Sequence, residues 1–481
     1  MSDTAADEKK VSTSPQIHED SSSYAEGHVG DVEGGKSVRE LHRTFTSRHI
    51  QMICLGGCIG SGIFISTGKP YLLSAEGAIV RVILTYWTTA IPTAACMTVY
   101  LVLVFGIHAM PNRWFAEFEF ATAAAKVTAM IIILFACIAM LGGAGPTGST
   151  NHGANYKELP VFPNGFKGVC QTFTLAAWAT GGQEIMGITA GEARRPRWDM
   201  PRACTNLFVR IIFFYELSTI FIGLLVRYDD ERLLATGTVA ASPFVISMAN
   251  AGIKGLPDLL NVVIIIGLVA IGAEAMYIAS RAMQAMSRMG MLPSVLGRVD
   301  KKGRPYYSLL VTGVFATVMT YINVSNTGAI IFTWFSSIAS TVYFMAWMTI
   351  SLSNWQMHRA IKLQNDPAWK LPHAFKLRAY PLTSVYLFIF SFLVLFATGY
   401  VSLFPIGAEP SAEAFFQTFL GVPIFIVAYL GYKVVFRTKF VHPKNADLKT
   451  GRRPLTDDDI AFLDAYYAQP MYKRILSYVR F

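Results

Sequence analysis

The chain has 481 residues, of which 53% are hydrophobic and only 15% are charged, and its mean hydropathy is +0.41. A soluble protein of this length needs more charge to cover its surface, so this composition excludes a large soluble domain and indicates lipid-facing helices. The net charge of +10 does not indicate nucleic-acid binding, because the basic residues lie in short loops between apolar runs.

The distribution of apolar runs divides the chain into three regions. Residues 1–46 are predicted to form a disordered cytoplasmic tail, since residues 1–38 are polar and lack the apolar stretch of a signal peptide. Residues 47–436 are predicted to form the transmembrane domain, and residues 437–481 a cytoplasmic C-terminal tail. This tail contains a predicted amphipathic helix capped at Thr456, whose apolar face packs on the bundle or lies on the membrane.

About ten runs are long and apolar enough to span a bilayer, for which about 20 residues are needed. Basic residues are concentrated in alternate loops between these runs, which predicts that both termini lie in the cytoplasm. The predicted spans lie near residues 50–72, 93–110, 121–141, 166–190, 207–226, 259–280, 306–323, 329–350, 383–404 and 415–435.

The first span is interrupted by the segment Gly56–Phe64, which has four glycines within seven residues. Each glycine destabilises a helix by about 1 kcal/mol relative to alanine. Unwound backbone inside a bilayer is tolerated where it is buried or lines a cavity, and transporters build ion and substrate sites from such breaks. Close packing between helices also favours small residues, and glycine content alone leaves both interpretations open.

The fourth span is also interrupted, at Trp178–Gly187, where the pair Gly181 and Gly182 is followed by Glu184. An acidic residue within a span is costly unless it faces a cavity or a partner. Two glycine-interrupted spans in one chain favour an inverted-repeat transporter.

Two further charged residues lie within spans. Lys126 either extends its ammonium group to the cytoplasmic interface or places a fixed cation inside the bundle. Glu274 requires a partner or a proton to be neutral in the membrane. No metal site, cofactor or catalytic group is predicted, because the cysteines lack zinc-ligand spacing and the spans hold no nucleophile elbow or phosphate loop.

Several motifs together resemble fungal amino-acid permeases of the amino acid–polyamine–organocation superfamily. Ser47–Met52 leading into Gly56–Gly62 is similar to the opening signature of that family. The other similar motifs are Glu117–Phe120 with Lys126, Gly182–Glu184 through Ala190–Ala193 with Pro196 and Pro201–Ala203, Ala279–Arg281, Asp300–Pro305, Thr438–Val441 and Thr450–Arg453.

This resemblance implies an all-α fold, a five-plus-five inverted repeat followed by two helices, and an amino acid as substrate. It also implies proton symport at the plasma membrane, with Lys126 at the position that a sodium ion takes in related carriers. Glu184 and Glu274 are the candidate proton-coupling acids. The substrate-binding residues expected from the resemblance are Ile59, Gly60, Ser61 and Gly62 for the carboxylate, and Thr180, Gly181 and Gly182 for the amino group.

The sequence departs from the family pattern after the first span. It passes from Glu76–Ala78 to Tyr86 and Trp87, so the second and most of the third family helices are missing. The predicted fold is therefore an incomplete inverted repeat of about ten spans. The leading functional interpretation is amino-acid uptake by alternating access, and the alternative is a non-transporting amino-acid sensor, a truncated paralogue or an incomplete gene product of the same family.

Overall fold

The computed structural model describes most of the chain from Phe45 onwards, and the fold is that of the described residues. They comprise 17 α-helices and no β-strand. The described residues are 45–56, 83–84, 87, 90–150, 152–179, 185–234, 242–322, 326–371, 373–374, 376, 379–450, 452 and 455–474.

Four continuous helical stretches are long and apolar enough to cross a membrane, and a fifth candidate is a pair of helices bent by 55°. The described residues of the predicted spans are helical apart from a few at their ends and the bend at Leu420, so the prediction of a polytopic all-α membrane protein is confirmed. The helices are α1 (Ser47–Gly56), α2 (Thr93–Ala109), α3 (Asn112–Leu141), α4 (Ala154–Lys157), α5 (Gly165–Ala179), α6 (Ile185–Thr189), α7 (Pro196–Arg210), α8 (Leu217–Leu225), α9 (Glu231–Leu234), α10 (Pro243–Asn250), α11 (Leu256–Arg288), α12 (Tyr306–Ile322), α13 (Asn326–Leu363), α14 (Leu382–Leu403), α15 (Ala412–Phe419), α16 (Gly421–Phe436) and α17 (Asp457–Tyr467).

The helix boundaries follow local chemistry as well as hydropathy. Pro111 precedes α3 and Gly142 follows it, consistent with a proline that has no N–H to donate at a helix start and a glycine that tolerates a helix end. Pro196 occupies the first turn of α7, so this span begins eleven residues before its apolar run. A π-helical segment, Ile211–Glu216, joins α7 to α8 without a break in the span.

The apolar core lies mainly between α2, α3, α8, α10 and α11. A second buried cluster lies at the N-terminal end of α3 and includes Phe45, Phe115 and Tyr277. A third cluster packs α5 and α13 against α14.

At the opposite end of the bundle, the segment after α3 folds over the end of α8. Asn155 donates hydrogen bonds to the backbone carbonyls of Gly223 and Val226, at 2.8 and 2.5 Å, and accepts one from the N–H of Tyr228 at 2.9 Å. Gly223 lies in the last turn of α8, and Val226 and Tyr228 follow it, so Asn155 supplies hydrogen-bond partners that the end of the helix lacks. The neighbouring Glu158 forms an exposed ion pair with Arg227 at 2.8 Å.

The predicted C-terminal amphipathic helix is present as α17. The Thr456 hydroxyl accepts a hydrogen bond from the N–H of Asp459 at 3.2 Å, which confirms the predicted cap. The apolar face packs on the bundle, because Phe462 and Tyr466 contact Trp198 edge-on at 5.4 and 5.8 Å between ring centres. Arg195 stacks on Phe462 at 3.9 Å, so α17 is held by the loop that precedes α7.

The connection from α16 to α17 contains a tight turn at Asp447. The side chain of Asp447 accepts hydrogen bonds from the backbone N–H groups of Lys449 and Thr450 at 2.9 and 3.0 Å. Hydrogen bonds from the side chain and backbone of Thr450, together with the Lys449 N–H, lower the pKa of Asp447 to about 2. The turn therefore depends on the ionised carboxylate.

α16 packs closely on α13 at Gly421. A Cβ atom at this position would lie 2.6 Å from the carbonyl oxygen of Ile338, and closer still to the hydroxyl of Thr341. Real Cβ contacts are longer than this, so only glycine lets the two helices meet at this distance.

Candidate transport site

One face of α3 carries polar residues at a spacing of seven. Asn112, Glu119 and Lys126 follow one another at two-turn intervals, which places them on one side of the helix about 10 Å apart. All three are buried, and Glu119 and Lys126 have no exposed surface. A wholly buried lysine two turns deeper than Glu119 fits the fixed-cation interpretation of Lys126 and not an ammonium group extended to the interface.

α11 packs against this face of α3 and presents a matching row of residues. Glu274 and Arg281 are seven residues apart, and Tyr277 lies between them on the same side of the helix. The charges of Glu274 and Lys126 both act on Glu119, so two acids and one base form a buried group between the two helices. We call these three residues the charged cluster.

The charged cluster is incompletely hydrogen-bonded by the described part of the chain. Within that part, neither carboxylate oxygen of Glu119 has a hydrogen-bond partner, and the ammonium nitrogen of Lys126 has none. Burying such groups costs several kcal/mol unless protons, ligands or opposite charges compensate. A cluster of this kind in a membrane domain therefore indicates function more than stability.

The described ends of the two spans that are predicted to be broken pack against α3 and α11. α1, which leads into the first break, packs against α3, and α6, which follows the second break, packs against α11 and α1. The chain therefore enters the first predicted break and leaves the second next to α3 and α11, the helices that carry the charged cluster.

A second polar group lies at the N-terminal end of α3. Nε of Arg281 donates to Glu192 at 3.0 Å, and its terminal nitrogen donates to the side-chain oxygen of Asn112 at 2.8 Å. The amide of Asn112 donates to the second Glu192 oxygen at 3.1 Å and to the carbonyl of Gly303 at 3.0 Å. We call Asn112, Glu192 and Arg281 the ionic triad; their side chains are nearly or wholly buried.

Three aromatic rings lie between the ionic triad and the charged cluster. Phe115 and Tyr277 stack almost in parallel at 4.6 Å, and Phe45 stacks on both at 6.4 and 5.9 Å. The guanidinium of Arg281 lies 4.0 Å above the ring of Tyr277. His108 donates to the carbonyl of Ala273 at 2.8 Å and stacks on Phe115 at 5.3 Å, closing one side of this aromatic layer.

The structure describes only two of the residues predicted for the site. Lys126 and Glu274 lie together, as members of the charged cluster. The other predicted residues lie outside the described residues, namely Ile59, Gly60, Ser61, Gly62, Thr180, Gly181, Gly182 and Glu184.

Sequence reasoning did not select Glu119 or the ionic triad as site residues. The seven-residue spacing from Asn112 through Glu119 to Lys126 is the signal in the sequence that could have identified Glu119. Glu192 and Arg281 are 89 positions apart in sequence, so their pairing requires the fold.

The sequence matches the amino acid permease family over residues 71–445. The chain belongs to this family. It is 34% identical to the amino-acid permease GAP5 of Candida albicans over 87% of this chain and 78% of that protein. It is 30% identical to the general amino-acid permease GAP2 of the same organism, over 91% and 87% of the two chains. It is 35% identical to the histidine permease of Saccharomyces cerevisiae, over 79% and 65%.

Membership of this family makes the chain an amino-acid transporter by descent and a multi-pass membrane protein, and it confirms the expectation that the chain is not an enzyme. The alignment with GAP2 is 512 positions long, which exceeds the 481 residues of this chain. Parts of the relative therefore have no counterpart here. The expected junction, near residues 76–86, lies almost wholly outside the described residues.

Proposed function

We propose that this permease imports amino acids together with protons across the plasma membrane by alternating access, with both termini in the cytoplasm. The observation that carries the proposal is the buried charged cluster of Glu119, Lys126 and Glu274 in a chain of this family. Residues 47–436 form the transporting unit in this proposal, and the two tails do not take part in substrate binding.

The charge balance of the cluster supports proton coupling. Two carboxylates beside one ammonium group leave one net negative charge in an apolar environment, which a single proton would neutralise. Lys126 is the base beside these carboxylates, and by resemblance it stands where related carriers hold sodium. A proton taken up by Glu119 or Glu274 changes the net charge of the site and so biases the conformational equilibrium.

The substrate is proposed to bind at the two breaks, close to this cluster. Backbone N–H groups at Ile59, Gly60, Ser61 and Gly62 would receive the substrate carboxylate, and Thr180, Gly181 and Gly182 would receive its amino group. The packing of α1 on α3 and of α6 on α11 supports this location. Glu184, at the end of the second break, remains an additional candidate for proton coupling.

The test is uptake of radiolabelled amino acids at pH 5 and pH 7 in cells that lack their own permeases. One-to-one coupling supplies about 1.4 kcal/mol, or about a tenfold accumulation, per unit of pH gradient. We expect Glu119→Gln or Glu274→Gln to abolish this dependence on the gradient while the chain still reaches the surface. Glu216→Gln is the matched control, because Glu216 also lies in a span but its side chain is on the exposed surface. Unchanged gradient dependence in both cluster variants would contradict their role.

The family helices that the motifs predict to be missing favour one alternative, a non-transporting amino-acid sensor or shortened paralogue. Such a chain would reach the surface and bind amino acids without accumulating them. A binding assay on membranes, run beside the uptake assay, separates the two functions. Sequencing the transcript shows whether two further spans are encoded after Ala78.

A further inference from the structure

We propose that the ionic triad of Asn112, Glu192 and Arg281 is the inner gate of the transport path, closed in this structure, which separates when substrate leaves toward the cytoplasm. The inference rests on the proposed transport function. It assigns a role to residues that lie beyond the substrate and proton sites proposed above.

The first argument is connectivity. Phe45 lies two residues before α1, and its N–H donates to the carbonyl of Glu192 at 3.2 Å while its own carbonyl accepts from the N–H of Arg194 at 3.2 Å. The segment that enters α1 is thus hydrogen-bonded to the segment that follows α6. Arg281 and Asn112 lie instead on the unbroken helices α11 and α3. The triad therefore joins two pairs of elements, the segments before α1 and after α6 on one side and helices α3 and α11 on the other. Motion of one pair relative to the other must break it.

The second argument is the order of layers along the paired helices. On α3 the sequence from the end inward is Asn112, Phe115 and Glu119, and on α11 it is Arg281, Tyr277 and Glu274. The two helices are antiparallel, so Asn112 lies beside Arg281, Phe115 beside Tyr277, and Glu119 beside Glu274. A path from the charged cluster to this end of α3 must pass the aromatic layer and then the triad. The basic loop at Arg113 predicts that this end is cytoplasmic.

The third argument is energetic. A buried ion pair gains little over well-packed apolar residues, because desolvation of both ions offsets most of their attraction. When water enters, both ions regain hydration, and the loss of their mutual attraction is largely compensated. Closed and open forms of such a junction can therefore have similar free energies, whereas a purely apolar contact of equal area strongly favours closure. Each oxygen of Glu192 receives one donor, so the closed form is also geometrically defined.

The competing explanation is a static structural contact, and access to a buried reporter distinguishes the two. Ala273 is fully buried, belongs to the same cluster as the aromatic layer and lies next to Glu274, on the far side of Tyr277 from Arg281. We suggest Ala273→Cys in a chain whose six native cysteines are replaced, after confirming that it reaches the membrane and matches the unsubstituted chain in uptake. A membrane-impermeant methanethiosulfonate reagent is then added to inside-out vesicles, whose outer surface is the cytoplasmic face, and the labelling rate of the cysteine is measured.

We expect Glu192→Gln to raise the labelling rate of this cysteine by about tenfold or more, since an open form that is otherwise a minor population becomes dominant. Exchanging the two charges, with Glu192→Arg and Arg281→Glu together, should return the rate toward that of the unsubstituted reporter. A saturating amino acid should raise the rate in the reporter chain that carries no triad substitution. This measurement needs no gate variant and remains decisive if the variants fail to fold.

A labelling rate that responds neither to Glu192→Gln nor to substrate overturns the gate and leaves a structural contact. The result is separable from failure of the proposed function. If the unsubstituted chain shows no uptake, but labelling still rises in Glu192→Gln and falls again in the charge exchange, the gate stands and transport by this chain is refuted. If uptake is normal and labelling is constant, transport stands and the gate is refuted.

Discussion

Replacing Gly421 by alanine should destabilise the packing of α16 on α13. The added methyl group would lie 2.6 Å from the carbonyl oxygen of Ile338 and even closer to the hydroxyl of Thr341. Ordinary contacts at a Cβ atom are 3.4 Å or more, so α13 and α16 must separate by the better part of an ångström or distort. Overpacking of this kind costs about 1–3 kcal/mol.

The matched control is Gly431→Ala, ten residues further along the same helix. A Cβ atom at Gly431 meets nothing within 4 Å, and alanine is favoured over glycine in a helix interior by about 1 kcal/mol. The two identical chemical changes should therefore alter stability in opposite directions.

The measurement is the fraction of detergent-solubilised protein that stays monodisperse after heating, followed by fluorescence-detected size-exclusion chromatography. We expect the curve for Gly421→Ala to move to lower temperature, and the curve for Gly431→Ala to stay in place or move to higher temperature. If Gly421→Ala retained the thermal profile of the unsubstituted chain, the inferred contact between the two helices would be wrong.

Three further changes test other contacts. Asn155→Ala should lower stability by about 1–3 kcal/mol, because three backbone groups lose their partner, whereas Glu158→Gln next to it should leave the same thermal assay unchanged, as expected of an exposed ion pair. The depressed pKa of Asp447 keeps its turn formed above about pH 4, with loss only as the pH falls through about 2. Asp447→Ala removes the acceptor of both backbone N–H groups and should speed trypsin cleavage after Lys449 at neutral pH, and an unchanged rate would refute the turn. Phe462→Ala should loosen α17 and speed proteolysis within residues 455–474, measured by mass spectrometry, with identical digestion patterns counting against the docking.

The all-α membrane fold was predictable because hydropathy is a local property of the chain. The helices themselves extend further than the apolar runs. α13 covers Asn326–Leu363 although its predicted span was 329–350, and α11 begins at Leu256 and not at 259. Polar residues continue a helix once its apolar part is formed, and hydropathy does not register that continuation.

Only some residues of the site were predictable from the sequence, and the physical reason differs from residue to residue. Lys126 and Glu274 stood out because each is a charge isolated within an apolar run. Glu119 lies two residues from Glu117, near the start of α3, where acidic residues are common at an interface, so its complete burial was not evident. Pairing of Glu192 with Arg281 depends on which helices are neighbours, and no periodicity in one sequence contains that information.

The π-helical segment Ile211–Glu216 has a geometric consequence for the span that contains it. A π turn accommodates one residue more than an α turn, and one residue corresponds to about 100° of rotation about an α-helix axis. The segment therefore sets the azimuth of α8 relative to α7. Deleting one residue there would turn the buried Ser218 away from the bundle and bring a neighbouring side chain inward, although hydropathy and span length would hardly change. Two relatives that differ by one residue at this point can thus share every apolar run and still present different walls to the same interior.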